Sequence, residues 1–334
     1  DHRDLHLSLR RQRQMCIIDR VGAAIVLASG SAGAVDWIMA SGYPASNFHT
    51  QNIQKFISEV KATTSVNINL NPNDTLIKLD AIKTSLHRGQ IPIGEIRLGI
   101  YGNQDPMYIL AGLPFIAPNY STAWLLKDVM REYIDNAFKK MGLRILYYTP
   151  WPGQGFYTKF PVKSTADFKG KKLRIYSTAT QKMGEMLGFN ATILPFAEIP
   201  QAFSTGLIEA LFTSPQTGID IQAWDNTKPF TYAGAIFSKN AVVVGEKYFS
   251  ALSAKDQTNM LAAAAKAELR GWEMSAATTA AQMETLKKNG MTVSNAPDSV
   301  IAKMKEIGKE MMKGWRKDAS PAANAVLDRF IALQ

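Results

Sequence analysis

The sequence predicts an α/β protein of two lobes, each built on a largely parallel sheet, with a ligand cleft between them. Three observations carry this expectation. The 334 residues suffice for two separate cores at roughly 100–200 residues per domain. From Asp36 onward, short apolar or alternating runs take turns with segments of helical period, the order that lays helices against parallel strands. Several helical segments stop at a glycine, at Gly89, Gly142, Gly188 and Gly206, the residue most at ease in the left-handed conformation of a helix end. In sheets of this kind ligands collect in the crevice beyond the carboxyl ends of the strands.

Residues 36–40 read as the first strand. Asn47 then caps a helix over 49–63, whose Ile53, Phe56, Ile57 and Val60 share one face. Residues 66–70, VNINL, alternate with period two; 75–88 are amphipathic up to Gly89; 93–100 are strand-like. A loop rich in Gly, Asn, Asp and Pro leads to a long helix over 121–140 and a strand over 144–149. The second half repeats the pattern with strand 172–176, helix 179–187, strand 191–194, helix 199–205 and strand 210–213. Segments 222–230 and 241–244, then long helices over 254–290 and 297–317, complete the chain.

Composition narrows the function classes. With 46% hydrophobic and 20% charged residues, the chain is neither a disordered polymer nor a disulfide scaffold. Its one cysteine, Cys16, allows no internal disulfide, and four histidines without H-E-x-x-H spacing predict no metal site. The net charge of +10 is spread through helical patterns without a basic block, which predicts a solvated surface and no nucleic-acid partner. Near the start, Arg10, Arg11, Arg13 and Arg20 precede an apolar run over 21–34 that ends in Ala32-Gly33-Ala34. This reads as an export signal cleaved near Ala34, with a periplasmic mature chain; the run is too short to span a bilayer.

Catalytic signatures are missing from the pattern. Gly170-Lys171 lacks the earlier glycine of a phosphate loop, no serine sits in G-x-S-x-G, and Gly153-Gln154-Gly155 lacks the third glycine of a dinucleotide loop. The expectation moves from enzyme to binding protein, with no cofactor.

Longer blocks then carry a family likeness. They are NFHTQNIQKF (47–56), IKLDAIKTSLHRGQIPIGEI (77–96), LPFIAPNY (113–120), GFYTKFPVKSTADFKGKKLRIY (155–176) and LPFAEIPQAFSTGLIEALFTSP (194–215). From about residue 36 to 333 the chain resembles the solute-binding subunit of tripartite ATP-independent periplasmic (TRAP) transporters, the DctP type. The resemblance implies a two-lobed periplasmic binding protein with a long interlobe helix, acting as a monomer that captures a small organic carboxylate. It also implies delivery to a TRAP membrane permease. The acid is an aliphatic keto or hydroxy acid, or an aromatic one. One lobe would comprise 36–152 plus about 239–280, the other 153–238 plus about 281–334. The rival reading is a two-lobed enzyme acting on a small organic acid.

Arg174 leads the candidate site. It lies between Leu173 and Ile175 in a strand-like run, and a guanidinium matches a carboxylate with a planar fork that lysine lacks. The resemblance implies the same role, since Gly170-Lys171-Lys172-Leu173-Arg174 matches the family's G-x-K-x-R motif; pairing with Asp167 at the surface is the plain alternative. Many relatives carry a second arginine upstream, where this chain has Gln154, an uncharged hydrogen-bonding group. Trp151 offers a flat apolar wall or an interlobe core residue. Ser177, Phe196, Thr213 and Ser214 fall where relatives place ligand contacts. From the first lobe, residues 40–43, Phe48 and His49 follow strand one, and Glu95 and Tyr101 flank the end of the third strand. Phe237 near the crossing is a further apolar wall.

Overall fold

Two sheets organise residues 35–334, the part of the chain that the computed structural model describes; the expected export signal lies outside these residues. In chain order the first elements are β1 (Val35–Ala40), α1 (Phe48–Thr63), β2 (Val66–Asn71), α2 (Ile82–His87), β3 (Ile93–Arg97), α3 (Tyr120–Lys140) and β4 (Leu143–Pro150). Next come β5 (Gly155–Thr158), β6 (Lys172–Ile175), α4 (Thr178–Met186), β7 (Asn190–Ile193), α5 (Ile199–Ser204), β8 (Ala210–Thr213), α6 (Pro215–Asp220) and β9 (Pro229–Tyr232). The last are β10 (Lys239–Gly245), α7 (Glu246–Ser250), α8 (Ala254–Lys288), β11 (Thr292–Asn295), α9 (Asp298–Asp318) and α10 (Pro321–Ala332).

The first lobe holds a five-stranded sheet in the order β2-β1-β3-β10-β4, the second a six-stranded sheet in the order β11-β9-β5-β8-β6-β7. Both are mixed rather than largely parallel. β10 runs antiparallel to β3 and β4, and β5 antiparallel to β8 and β9. The reason is the crossing between lobes. A parallel neighbour needs a long return connection, usually a helix, whereas here the chain passes directly from β4 to β5 and from β9 to β10. The two crossings run side by side: Lys239 pairs with Pro150, and the Trp151 amide donates to the Ser238 carbonyl at 2.8 Å.

Other departures from the sequence reading have local causes. The helix expected over 75–88 forms only at Ile82–His87. Asn73 and Asp74 both take positive φ, and the Asp74 carboxylate accepts the Leu79 amide at 2.9 Å, holding the chain in turns before the helix begins. The strand expected over 93–100 ends at Arg97 and tightens into a 3-10 turn at Leu98–Tyr101. β5, β9 and β11 have four residues each, too few to show a period.

α8, with 35 residues and so about 52 Å long at 1.5 Å per residue, ties the lobes together. It packs on α1 and β4 in the first lobe and on α6 and β11 in the second. The approach to the first lobe is close because Gly271 has no side chain; a Cβ there would lie 2.6 Å from Thr149 Oγ1 and 2.8 Å from Asn52 Nδ2. Beside it, buried Glu268 accepts from Lys127 at 2.8 Å, from Arg131 and from the Tyr148 amide at 2.9 Å, knotting α8 to α3 and β4. α10 packs on α3, back against the first lobe. No helix among the described residues is long and apolar enough to cross a membrane.

Candidate functional site

The strands of both sheets end at one half-open cavity between the lobes, about 340 Å³ with the space open to solvent included. The first lobe contributes Arg97 from the end of β3 and Tyr43 from the loop after β1; Trp151, Gln154 and Ser238 come from the crossings. The second lobe contributes Arg174 and Tyr176 from β6 and its end, Phe196 after β7, and Thr213, Ser214 and Thr217 around the end of β8. Placement beyond strand ends follows from the α/β plan, since the loops there are the free surface that both lobes present to each other.

Arg174 is one of two guanidinium groups on this surface. It is 3% exposed, and its Nε donates to the Leu194 carbonyl at 3.0 Å. Among the described residues no acid pairs with it: Asp167 instead accepts the amides of Lys163 and Ser164 at 2.7 and 2.9 Å. Burial, and then the nearby Arg97 guanidinium, pull the Arg174 pKa down to about 9. It remains a cation at neutral pH, but a poorly compensated one. An isolated buried charge is costly, and a carboxylate in the cavity is the partner that would relieve it.

Arg97, which the sequence reading passed over, faces it from the other lobe. One of its terminal amino groups donates to the Tyr176 carbonyl at 3.1 Å, its Cζ lies 4.4 Å from the Tyr176 ring centroid, and its Nε is buried without a partner among the described residues. The signal was present, an arginine within a predicted strand. It was hidden because that strand was taken three residues too long.

The remaining walls are aromatic and polar. Tyr43 meets Trp151 edge-on at 4.9 Å and Phe196 at 5.5 Å between ring centroids, a geometry aromatic pairs favour. Gln154 is tied at both ends, donating to Ser238 Oγ at 3.0 Å and accepting the Tyr176 hydroxyl. Ser214 caps α6 by accepting the Thr217 amide at 3.2 Å, while Thr213 closes β8 beside it.

Six of the sequence candidates thus meet around the cavity: Arg174, Gln154, Trp151, Phe196, Thr213 and Ser214. The other six are placed elsewhere. Ser177 caps α4 with its hydroxyl on the Thr180 amide at 3.2 Å. Glu95 is fully engaged below the wall, accepting Ser41 Oγ at 2.6 Å and Asn240 Nδ2 at 2.8 Å, while Asn240 in turn accepts the Trp151 indole at 2.8 Å. His49 packs 4.3 Å from Trp151, with Nδ1 3.3 Å from Glu95 and a pKa lowered by burial; Phe48 lies against it. Tyr101 sits under the Lys83 ammonium at 4.4 Å, and Phe237 packs on Tyr120 at 4.8 Å. These residues brace the wall or belong to the core. Among the described residues no cluster of three His, Cys, Asp or Glu could hold a metal ion.

A separate clasp spans the lobes. Asn47, capping α1, donates to Asp220 at 2.7 Å, and Gln216 donates to the other Asp220 oxygen at 2.8 Å. Burial pushes the Asp220 pKa up to about 6. The buried carboxyl therefore takes up a proton more readily than a solvated one, so this group favours the clasped form increasingly as pH falls from 8 to 5. The melting temperature of Asp220→Asn should show a flatter pH dependence than the parent across that window. Superimposable slopes would refute the effect.

Side chains from two lobes converging on one cavity beyond the strand ends are the arrangement of a solute receptor. The sequence places the protein within that class: the family model DctP, bacterial extracellular solute-binding protein, family 7, matches residues 39–318. The chain belongs to this family, the solute-binding proteins of TRAP transporters, which bind small organic acids and work with membrane permeases. Its fold is similar to that of DctP7 of Bordetella pertussis, an extracytoplasmic solute receptor binding pyroglutamic acid, at 37% identity and a TM-score of 0.87, covering 89% of this chain and 99% of that one. DctP6 of the same organism, also binding pyroglutamic acid, is similar at 34% identity and 0.87, covering 89% and 100%. A TRAP solute-binding protein from an unidentified marine microbe, specific for pyroglutamate, shares 30% identity at 0.87, covering 90% and 99%.

Proposed function

We propose that this protein captures pyroglutamate, a five-membered lactam bearing one carboxylate, and releases it unchanged to a TRAP permease. The observation that carries this reading is the buried Arg174, whose charge no acidic side chain among the described residues offsets. Its fork suits one carboxylate. The second position that relatives fill with arginine is Gln154 here, and the other guanidinium at the cavity, Arg97, is turned to the Tyr176 carbonyl and ring. Thr213 and Ser214 offer hydroxyl partners for a lactam, and Trp151, Tyr43 and Phe196 an apolar wall for its methylenes. The pyroglutamate-binding relatives at 30–37% identity support the same choice.

Within this reading Glu95, His49 and Phe48 hold Trp151 in place, while Ser177, Tyr101 and Phe237 hold the elements behind the cavity. The lobes divide at 36–152 with about 239–280 and at 153–238 with about 281–318, α10 returning to the first lobe. The chain is exported with cleavage near Ala34 and works as a monomer.

Calorimetry on ligand-stripped protein tests the function. Pyroglutamate should bind at one site and more tightly than glutamate, glucuronate or an aromatic acid. At 100-fold excess over Kd it should stabilise the fold by about 2.7 kcal/mol, and mass spectrometry should recover it chemically intact. Tighter binding of a uronate or aromatic acid would overturn the choice of ligand, and a converted product would favour the enzyme.

A further inference from the structure

A second cavity adjoins the solute cavity, about 810 Å³ with the space open to solvent included. Arg97, Tyr176 and Phe196 line both spaces, so these three residues stand between them. Arg97 and Tyr176 hold each other, guanidinium on carbonyl and ring, and the Tyr176 hydroxyl is tied to Gln154. Phe196 is held more lightly. It is half-buried, and its ring leans edge-on against Tyr43 of the opposite lobe, 5.5 Å away between centroids. Its place is set by the backbone before it. The Leu194 carbonyl accepts from Arg174 Nε at 3.0 Å, Pro195 fixes the next φ at −53°, and a 3-10 turn over Phe196–Glu198 follows.

The second cavity takes apolar surface from Leu79 and Ile100 in the first lobe and from Ile193 and Pro195 in the second. Asp74, Asp80 and Glu198 outnumber Lys78 and Arg97 on its walls, so it disfavours a second carboxylate and suits an uncharged tail. We propose that Phe196 sets the length of acid this protein accepts, by closing the solute cavity against that apolar chamber. With its carboxylate on Arg174, a compact acid ends short of the Phe196 ring. A longer monocarboxylate has to pass into the chamber, and the ring stands in its way. The inference rests on reading the first cavity as the carboxylate site, and not on pyroglutamate being the acid.

Calorimetry with pyroglutamate and with 3-phenylpropanoate, a monocarboxylate with an aromatic tail, is the test. Phe196→Ala is expected to bind 3-phenylpropanoate about tenfold or more tightly than the parent does, the scale on which a pocket discriminates a misfitting apolar group, while pyroglutamate weakens. Phe196→Leu should fall between the two. Loss of an ordinary wall contact would weaken both acids alike, so an unchanged ratio of the two affinities in both variants overturns the proposal. Ile193→Trp, which fills the chamber, should cancel the gain made by Phe196→Ala and leave pyroglutamate binding to the parent as it is. A gain that survives Ile193→Trp would rule out the chamber as the place of the tail. Pyroglutamate failing on the parent while Phe196→Ala gains 3-phenylpropanoate would sink the choice of ligand alone and support the partition.

Discussion

Arg174→Ala is expected to weaken binding of the carboxylate by about 30-fold or more while the protein stays folded. Removing one member of a buried, hydrogen-bonded charge pair typically costs roughly 2–5 kcal/mol, and about 1.4 kcal/mol is tenfold in affinity. Nothing on the second lobe replaces it, since Gln154 already donates to Ser238 and accepts from Tyr176. Stability without ligand should move the other way or not at all, because the variant no longer buries an uncompensated cation. Arg174→Lys should recover only part of the affinity. An ammonium lacks the fork and cannot both hold the Leu194 carbonyl, as Nε does now, and pair bidentately. Calorimetry decides the matter: an Arg174→Ala protein that binds as tightly as the parent would remove Arg174 as the anchor.

The largest expected effect on folding belongs to Glu268→Ala. One carboxylate serves Lys127, Arg131 and the Tyr148 amide at the junction of α8, α3 and β4. Deleting it takes the carboxylate from Arg131 and leaves Lys127, 2% exposed, with Asp128 alone at 2.7 Å. Breaking a buried pair in this way costs about 3–5 kcal/mol. Denaturant unfolding should report a loss of that order, and Glu268→Gln, which keeps an acceptor, a smaller one. Since Glu268 does not line the cavity, the affinity of the folded variant for its acid should change little. A loss below about 1 kcal/mol, the range of exposed pairs, would show that the knot contributes no more than a surface contact.

Legibility in the sequence tracked the range of the interactions involved. α1 was visible almost to the residue because its cap, Asn47, and its apolar stripe are local. The same holds for β8 and for the glycine stops, of which Gly89, Gly142, Gly188 and Gly206 all take positive φ. The position of Arg174 at the cavity wall followed from a short strand and one charged residue within it. What escaped was set at long range. Arg97, Tyr176 and Ser238 reach the cavity only because two lobes meet, and no period in either half encodes that meeting. Glu95 and His49 show the converse: a satisfied carboxylate under a wall and one facing a ligand look alike until Ser41 and Asn240 are seen to occupy it. The antiparallel β5 and β10 were illegible for the same reason, their direction being a property of the crossing.

α8 sets the mechanics of the cleft. A rod fastened at one end to α1 and β4 and at the other to α6 and β11 resists any swing of the lobes through its own bending stiffness. Between the two anchorages lie Ser275, Thr278 and Thr279, of which Thr278 and Thr279 turn their hydroxyls back onto the carbonyls of Met274 and Ser275 at 2.7 and 2.8 Å. Back-bonding of this kind often curves a helix. A swing of the lobes is expected to bend α8 in that stretch, against the tie that the Tyr120 hydroxyl makes there to Ser275 and Thr279.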